Sequence, residues 1–261
     1  MEKNSVLKVL SVVLVVALLS TVLVGCLGSS NSSSYVQTIK NRGRLIIGTS
    51  SGFNPFEVYN DTANTIEGFD IDIAKQIAQG LGVSLEIRDM GFEALIGAVK
   101  VGTIDLVIAG MSITPDRNLS VAFSDPYFKA DQAIVVKKTT TNINNPADLN
   151  GKKIAVNLET TGDYWVTDNV HGATVSRFPF AYETFLALDS GIVDAVVIDK
   201  PVGDAYAAKD TAIKVVYTIV TNEFYGIAIR QSNTDFIAFV NNVLATMQQD
   251  GSMQQLVIKW F

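Results

Sequence analysis

The stretch "AVKVGTIDLVIAG" at residues 98–110 returns in outline as "ALDSGIVDAVVID" at residues 187–199. Each reads as the end of a helix, a glycine, an aspartate three residues later, and an apolar strand. At a constant offset Gly102 matches Gly191, Asp105 matches Asp194, and Gly110 matches Asp199. Glycine closes a helix because it takes left-handed backbone at little cost. A strand without polar alternation is one covered on both faces, as in a parallel sheet between layers of helices. The echo predicts two related α/β lobes.

Working outward, "RLIIGTS" (44–50) reads as a strand, and "DIDIAKQIAQGLG" (70–82) as a helix with Asp70 as N-cap and Ile73, Ile77 and Leu81 on one face. "SLEIRDM" is a strand and "FEALIGAVKVG" a helix closed by Gly102. Such alternation predicts mainly parallel sheets flanked by helices. "YFKADQAIVV" (127–136) and "TNEFYGIAIR" (221–230) border the second copy and read as extended crossovers. The C-terminal segment supplies amphipathic helices, with Phe236, Phe239, Val240 and Val243 on one face. The expected organisation is lobe one at 35–129 plus 226–261, lobe two at 132–221, and hinges near 127–132 and 221–227.

The chain has 261 residues, 48% of them hydrophobic and 18% charged, which describes globular protein long enough for one large domain or two small ones. Its 26 acidic and 20 basic residues are interspersed, leaving no basic stripe for phosphates, so nucleic acid is not expected as a partner. One cysteine, Cys26, and one histidine, His171, cannot build a disulfide framework or a Cys/His metal site. No cofactor is expected, and His171, in the loop "NVHGAT", reads as structural. At the N-terminus, Lys3 and Lys8 precede the apolar run from Val9 to Val24, followed by Gly25, Cys26 and a Ser/Gly/Asn-rich stretch to Ser34. Basic flank, apolar core and small residues before a cut describe a secretory signal over 1–25, and 26–34 reads as a flexible tether.

Ligands of open parallel sheets collect outside the carboxyl ends of strands. Gly110 and Asp199 end two such strands, which predicts a cleft between lobes with "GMSITPDR" (110–117) on one wall and "VVIDKP" (196–201) on the other. Thr114 before Pro115 is a helix start. The first-turn N–H groups, the Ser112 hydroxyl and the Arg117 guanidinium would converge there on an anion, and the fork of arginine fits a carboxylate. The competing role for Arg117 is a surface pair with Asp116 or Asp125. Asp199 needs a cation, either Lys200 beside it or a ligand ammonium. "ETTGD" (159–163) offers the Thr160 and Thr161 hydroxyls to the same carboxylate, or serves as an ordinary N-cap cluster. Phe53 and Phe92 flank a ligand or belong to the core.

Three ordered motifs, "GFDIDIAKQIAQGLG", "AGMSITPDRNLSVAFSDPYF" and "DLNGKKIAVNLETTGDYW", resemble the extracytoplasmic solute-binding proteins of polar amino-acid ABC importers, which have a two-lobed type II periplasmic binding fold. The resemblance runs through nearly all of residues 40–261. It implies that Arg117 and Ser112, with the backbone at Gly110 and Thr161, hold a ligand carboxylate, that Asp199 holds its ammonium, and that Phe53 and Phe92 sandwich its side chain. It also implies a monomer that closes about two hinges on a free amino acid and docks on a membrane permease with its separate ATPase. "LVGC" (23–26) resembles the lipobox of secreted lipoproteins, implying lipid attachment at Cys26 and anchorage to the outer face of the cell membrane. Binders of basic or polar amino acids often carry aspartate where Ser50 stands, and its loss here weakens the case for a cationic side chain, so a polar, glutamine-like ligand is favoured; Glu159, standing where the family usually has glycine, would restore the cationic case if it points inward. The fold also resembles cyclohexadienyl dehydratases, whose general acid shortly follows the strand that carries Asp199. Here Lys200, Pro201, Val202 and Gly203 follow, with no carboxylate until Asp204, so a binding protein is expected rather than an enzyme.

Overall fold

The repeat is visible in the sheets of the computed structural model, which describes residues 34–261. The expected signal peptide, Cys26 and the tether up to residue 33 lie outside the described residues. After helix α1 (Tyr35–Arg42), strand β1 (Arg44–Thr49) leads through a small hairpin, β2 (Val58–Asn60) and β3 (Thr65–Glu67), into helix α2 (Phe69–Leu81) and strand β4 (Ser84–Asp89). Helix α3 (Leu95–Val101) then precedes β5 (Leu106–Val107), the short helix α4 (Pro115–Asn118) and β6 (Ala122–Phe123). A long strand, β7 (Phe128–Lys137), crosses to β8 (Lys153–Asn157), α5 (Thr161–Asn169), β9 (Thr174–Phe178), α6 (Ala181–Asp189), β10 (Ala195–Asp199) and α7 (Lys200–Lys209). The return is β11 (Ile213–Tyr225), followed by β12 (Ala228–Ile229), α8 (Thr234–Gln249) and α9 (Ser252–Trp260).

The two five-stranded sheets have the orders β4-β1-β5-β12-β6 and β9-β8-β10-β7-β11. In each, three parallel strands are followed by one antiparallel strand. The sheets are therefore mixed, with the antiparallel strand supplied by β12 in one and by the crossover β7 in the other. The two aspartates of the echo have the same structural task. Asp105 Oδ2 accepts the Ile46 N–H at 2.7 Å while the Ile46 carbonyl accepts the Asp105 N–H at 2.8 Å. Asp194 Oδ2 accepts the Lys153 N–H at 2.9 Å while the Lys153 carbonyl accepts the Asp194 N–H at 2.8 Å. Each aspartate thus clips the central strand of its sheet to a parallel neighbour, β5 to β1 and β10 to β8. Gly102 and Gly191, at φ 80° and 73°, end the preceding helices in left-handed backbone.

Two local expectations change. Helix α2 begins at Phe69 with Gly68 as its N-cap, and Asp70 lies inside the first turn, fully buried and directed away from the helix. On α8 the buried stripe is Phe236, Val240, Leu244 and Met247, while Phe239 and Val243 flank it and cover Gly80 of α2. Where the crossovers leave the first sheet, β7 and β11 pair from Lys137↔Ile213 to Phe128↔Tyr225. Phe128 stacks on Tyr225 and Phe261, with ring centroids at 5.8 and 4.9 Å, and Phe56 meets all three edge-on. This aromatic cluster fixes the strand ends beside which Gly110 and Asp199 lie.

Candidate functional site

Thr114 is extended and its hydroxyl accepts the Arg117 N–H at 3.2 Å, with Pro115 at the first helical position. That single turn aims Arg117 inward, leaving it 8% exposed. Its Nη1 donates to the Ser112 carbonyl at 2.7 Å and its Nη2 to the Glu159 carbonyl at 3.0 Å, with the guanidinium 5.2 Å above the Phe92 ring centre. The partners of Arg117 are two carbonyl oxygens from opposite sides of the cleft rather than Asp116 or Asp125. Burial pulls its pKa down, opposed by the surrounding Tyr164, Asp199, Glu223 and Glu159. A guanidinium bonded to neutral carbonyls keeps its charge and further donors for an anion.

Asp199 ends the fully buried strand β10 and is 4% exposed. Its Oδ1 accepts the Gln132 amide at 3.0 Å, and Lys200 pairs instead with Asp204 on the following turn. Burial, with the charge of Glu223 next, pushes the Asp199 carboxyl up to about 7. A buried carboxylate without a cation is costly, so this position favours an ammonium.

One small cavity of about 10 Å³ is lined by Phe53, Phe92, Gly110, Ser112, Arg117, Thr160, Thr161 and Asp199. All the sequence-nominated cleft residues meet there except Ser50, which is buried elsewhere with its hydroxyl lacking a hydrogen-bond partner. Within the cavity, two roles differ from expectation. The Gly110 N–H is already given to Asp70 Oδ2 at 2.8 Å, so it is not free for a ligand carboxylate. Gly110 matters for shape: its φ is 53°, and a Cβ there would lie 2.4 Å from Phe53. The Thr160 hydroxyl donates to the Asn157 carbonyl at 2.7 Å and accepts the Asp163 N–H at 3.3 Å, which makes it the N-cap of α5. Glu159 has φ 59°, a left-handed backbone that glycine adopts most cheaply. It lines a neighbouring opening of about 420 Å³ with Glu93, Asp116 and Tyr164, which also shares Phe92, Arg117 and Thr161 with the cavity.

Four further residues escaped the motif reading. Asp70 accepts from Gly110 and, at 2.8 Å, from the Tyr127 hydroxyl, and burial holds its carboxyl up at about 7. Glu57 is fully buried, its carboxyl oxygens have no hydrogen-bond partner, and burial with the fields of Asp70, Asp89 and Asp199 raises its pKa strongly. Gln132 reaches Asp199, and Glu223 accepts from Ser112 and Thr161 at 2.6 and 2.5 Å. The signal available for Gln132 and Glu223 was their place in the two crossover segments, polar side chains in strands that border a cleft.

Residues 45–261 match the model of the bacterial extracellular solute-binding proteins, family 3. The L-cystine-binding protein TcyJ of Escherichia coli is 32% identical, over 85% of this chain and 84% of the relative. Among solved structures, a mutant of ArgBP from T. maritima superposes with a TM-score of 0.82 at 42% identity, covering 87% of this chain and 98% of the other. The ancestral amino acid-binding protein AncCDT-1, a precursor of cyclohexadienyl dehydratase, superposes with a TM-score of 0.82 at 39% identity, covering 87% and 100%. Two sheets of matching order, an inward arginine facing a buried aspartate, and a family match across both place this chain among the bacterial extracellular solute-binding proteins, family 3.

Proposed function

We propose that the protein binds a free L-amino acid between its lobes and delivers it to an ABC permease. The observation that carries this is the convergence of Arg117 and Asp199, opposite charges from opposite sheets, on one cavity. A carboxylate on Arg117, Ser112 and Thr161 and an ammonium on Asp199 are the two groups every free α-amino acid presents. A ligand gripped from both sides lowers the free energy of the closed state relative to the open one. Lobe one is then 35–129 plus 226–261 and lobe two 132–221, hinged near 127–132 and 221–227; the sheet membership of β1 to β12 supports this division.

The side chain favoured is polar and glutamine-like, since the cavity lining brings no carboxylate besides Asp199, which the ammonium takes. A cationic side chain is the second assignment, favoured by Glu93, Asp116 and Glu159 around the adjoining opening. The chain works as a binding protein rather than an enzyme; incubation with prephenate or arogenate is expected to yield no product. We infer further a monomer tethered through a lipidated Cys26 to the outer face of the cell membrane. Among the described residues no helix is long and apolar enough to cross a membrane.

Calorimetry on Arg117→Ala tests the assignment. Losing the partner of a buried ligand carboxylate costs about 2–5 kcal/mol, so affinity falls by at least about thirtyfold. Unchanged affinity would remove the assignment.

A further inference from the structure

Strands β7 and β11 lose register just where they pass the cavity. Ile219 pairs with Gln132 and Glu223 with Ala130, so β11 advances four residues while β7 advances two. Asp131 holds the excursion by accepting the Thr221 and Asn222 N–H groups at 3.0 and 2.9 Å, and Asn222 takes φ 54°. A bulge of this kind re-aims the next side chain. Here that side chain is Glu223. One of its carboxylate oxygens accepts the Ser112 hydroxyl at 2.6 Å from the first-sheet side and the Thr161 hydroxyl at 2.5 Å from the second. The other oxygen lies 3.3 Å from the donating Gln132 amide.

We propose that Glu223 is an internal competitor for the α-carboxylate of the ligand. The proposal rests on the amino-acid-binding function above and adds to it the residue that sets affinity. A hydroxyl has one proton to donate. Ser112 and Thr161 therefore cannot serve the Glu223 carboxylate and a ligand carboxylate together, and binding requires Glu223 to leave. Its half-buried position gives it a way out to water. While it stays, it ties the two walls of the cleft through the same hydroxyls that a ligand would use.

The test is calorimetric titration of the full-length chain and of its Glu223→Ala and Glu223→Gln variants. The titrants are the standard amino acid that binds the native chain most tightly and the amine left by its decarboxylation. Both variants are expected to bind the amino acid about tenfold more tightly, equivalent to about 1.4 kcal/mol. The amine presents nothing to Ser112 and Thr161 and is expected to gain no affinity. Small-angle scattering of the variants without added amino acid is expected to give a larger radius of gyration than the native chain. Unchanged or weaker amino-acid binding by both variants overturns the proposal, weaker binding making Glu223 a holder of the ammonium. An equal gain for the amine also overturns it. If no amino acid binds the native chain, the functional assignment falls together with this proposal; if one binds and the variants gain nothing, this proposal falls alone.

Discussion

Asp199 carries a charge whose presence depends on what stands opposite it. Its carboxyl is held up at about 7 by burial and by Glu223, so in the proposed complex an ammonium opposite it would draw off the proton. Binding then favours the ionised form and releases a proton, so affinity rises with pH through about 7 and levels off above. Between pH 6 and 8 the gain is about tenfold, measurable by calorimetry in buffers of different ionisation enthalpy; Asp199→Asn is expected to bind weakly with no such slope. At this scale the sequence was informative about Arg117 and Asp199. One stands at a helix start after a buried strand, and the other at the repeat-related end of a buried strand. For Glu223 it offered only a place in a crossover segment, because a side chain re-aimed by a bulge depends on long-range register, and nothing in "TNEFYG" announces the two extra residues. Asp70 was misassigned for a related reason. Its position suits an N-cap, yet the tertiary demand of the Gly110 N–H and the Tyr127 hydroxyl takes the carboxylate elsewhere.

The element that repeats is helix, glycine, aspartate, strand, and its two copies differ in burial. Asp105 is 1% exposed and, besides Ile46, accepts from Arg42 and from the Tyr35 hydroxyl at 2.7 Å. Asp194 makes the same backbone clip at an exposed position. Burial decides the energetics, because a buried charge stripped of its partners, or a set of donors stripped of their acceptor, costs far more than an exposed one. Asp105→Ala is therefore expected to destabilise by about 3–5 kcal/mol and Asp194→Ala by less than about 1.5 kcal/mol, measured by urea denaturation of each variant. Equal costs would mean that the backbone clip alone, and not its surroundings, carries the contribution. The echo was legible because a left-handed glycine and a strand-clipping aspartate are local requirements. The mixed character of the sheets was not, since the antiparallel strand in each comes from a distant segment, β12 or β7.

Across the whole molecule, buried carboxyls set how stability answers pH. Asp70 and Asp199 rise from an ordinary 3.8 to about 7, and Glu57 rises strongly as well. Between those values the folded chain holds protons that the unfolded chain has lost, so stability falls as pH climbs from about 4 to about 7. Without added amino acid, the melting temperature at pH 5 is expected to exceed that at pH 8 by on the order of 10 °C, and Asp70→Asn is expected to shrink the difference. A ligand ammonium on Asp199 acts in the opposite sense, which ties the stability of the scaffold to the occupancy of its site. In the proposed function the two walls read the carboxylate and the ammonium of a free amino acid. Calorimetric titration of the full-length chain with each of the standard amino acids tests it most directly. Saturable one-to-one binding of at least one polar or cationic amino acid is expected, lost when either its carboxylate or its ammonium is blocked. Binding of none of them, or binding indifferent to both blocks, would contradict it.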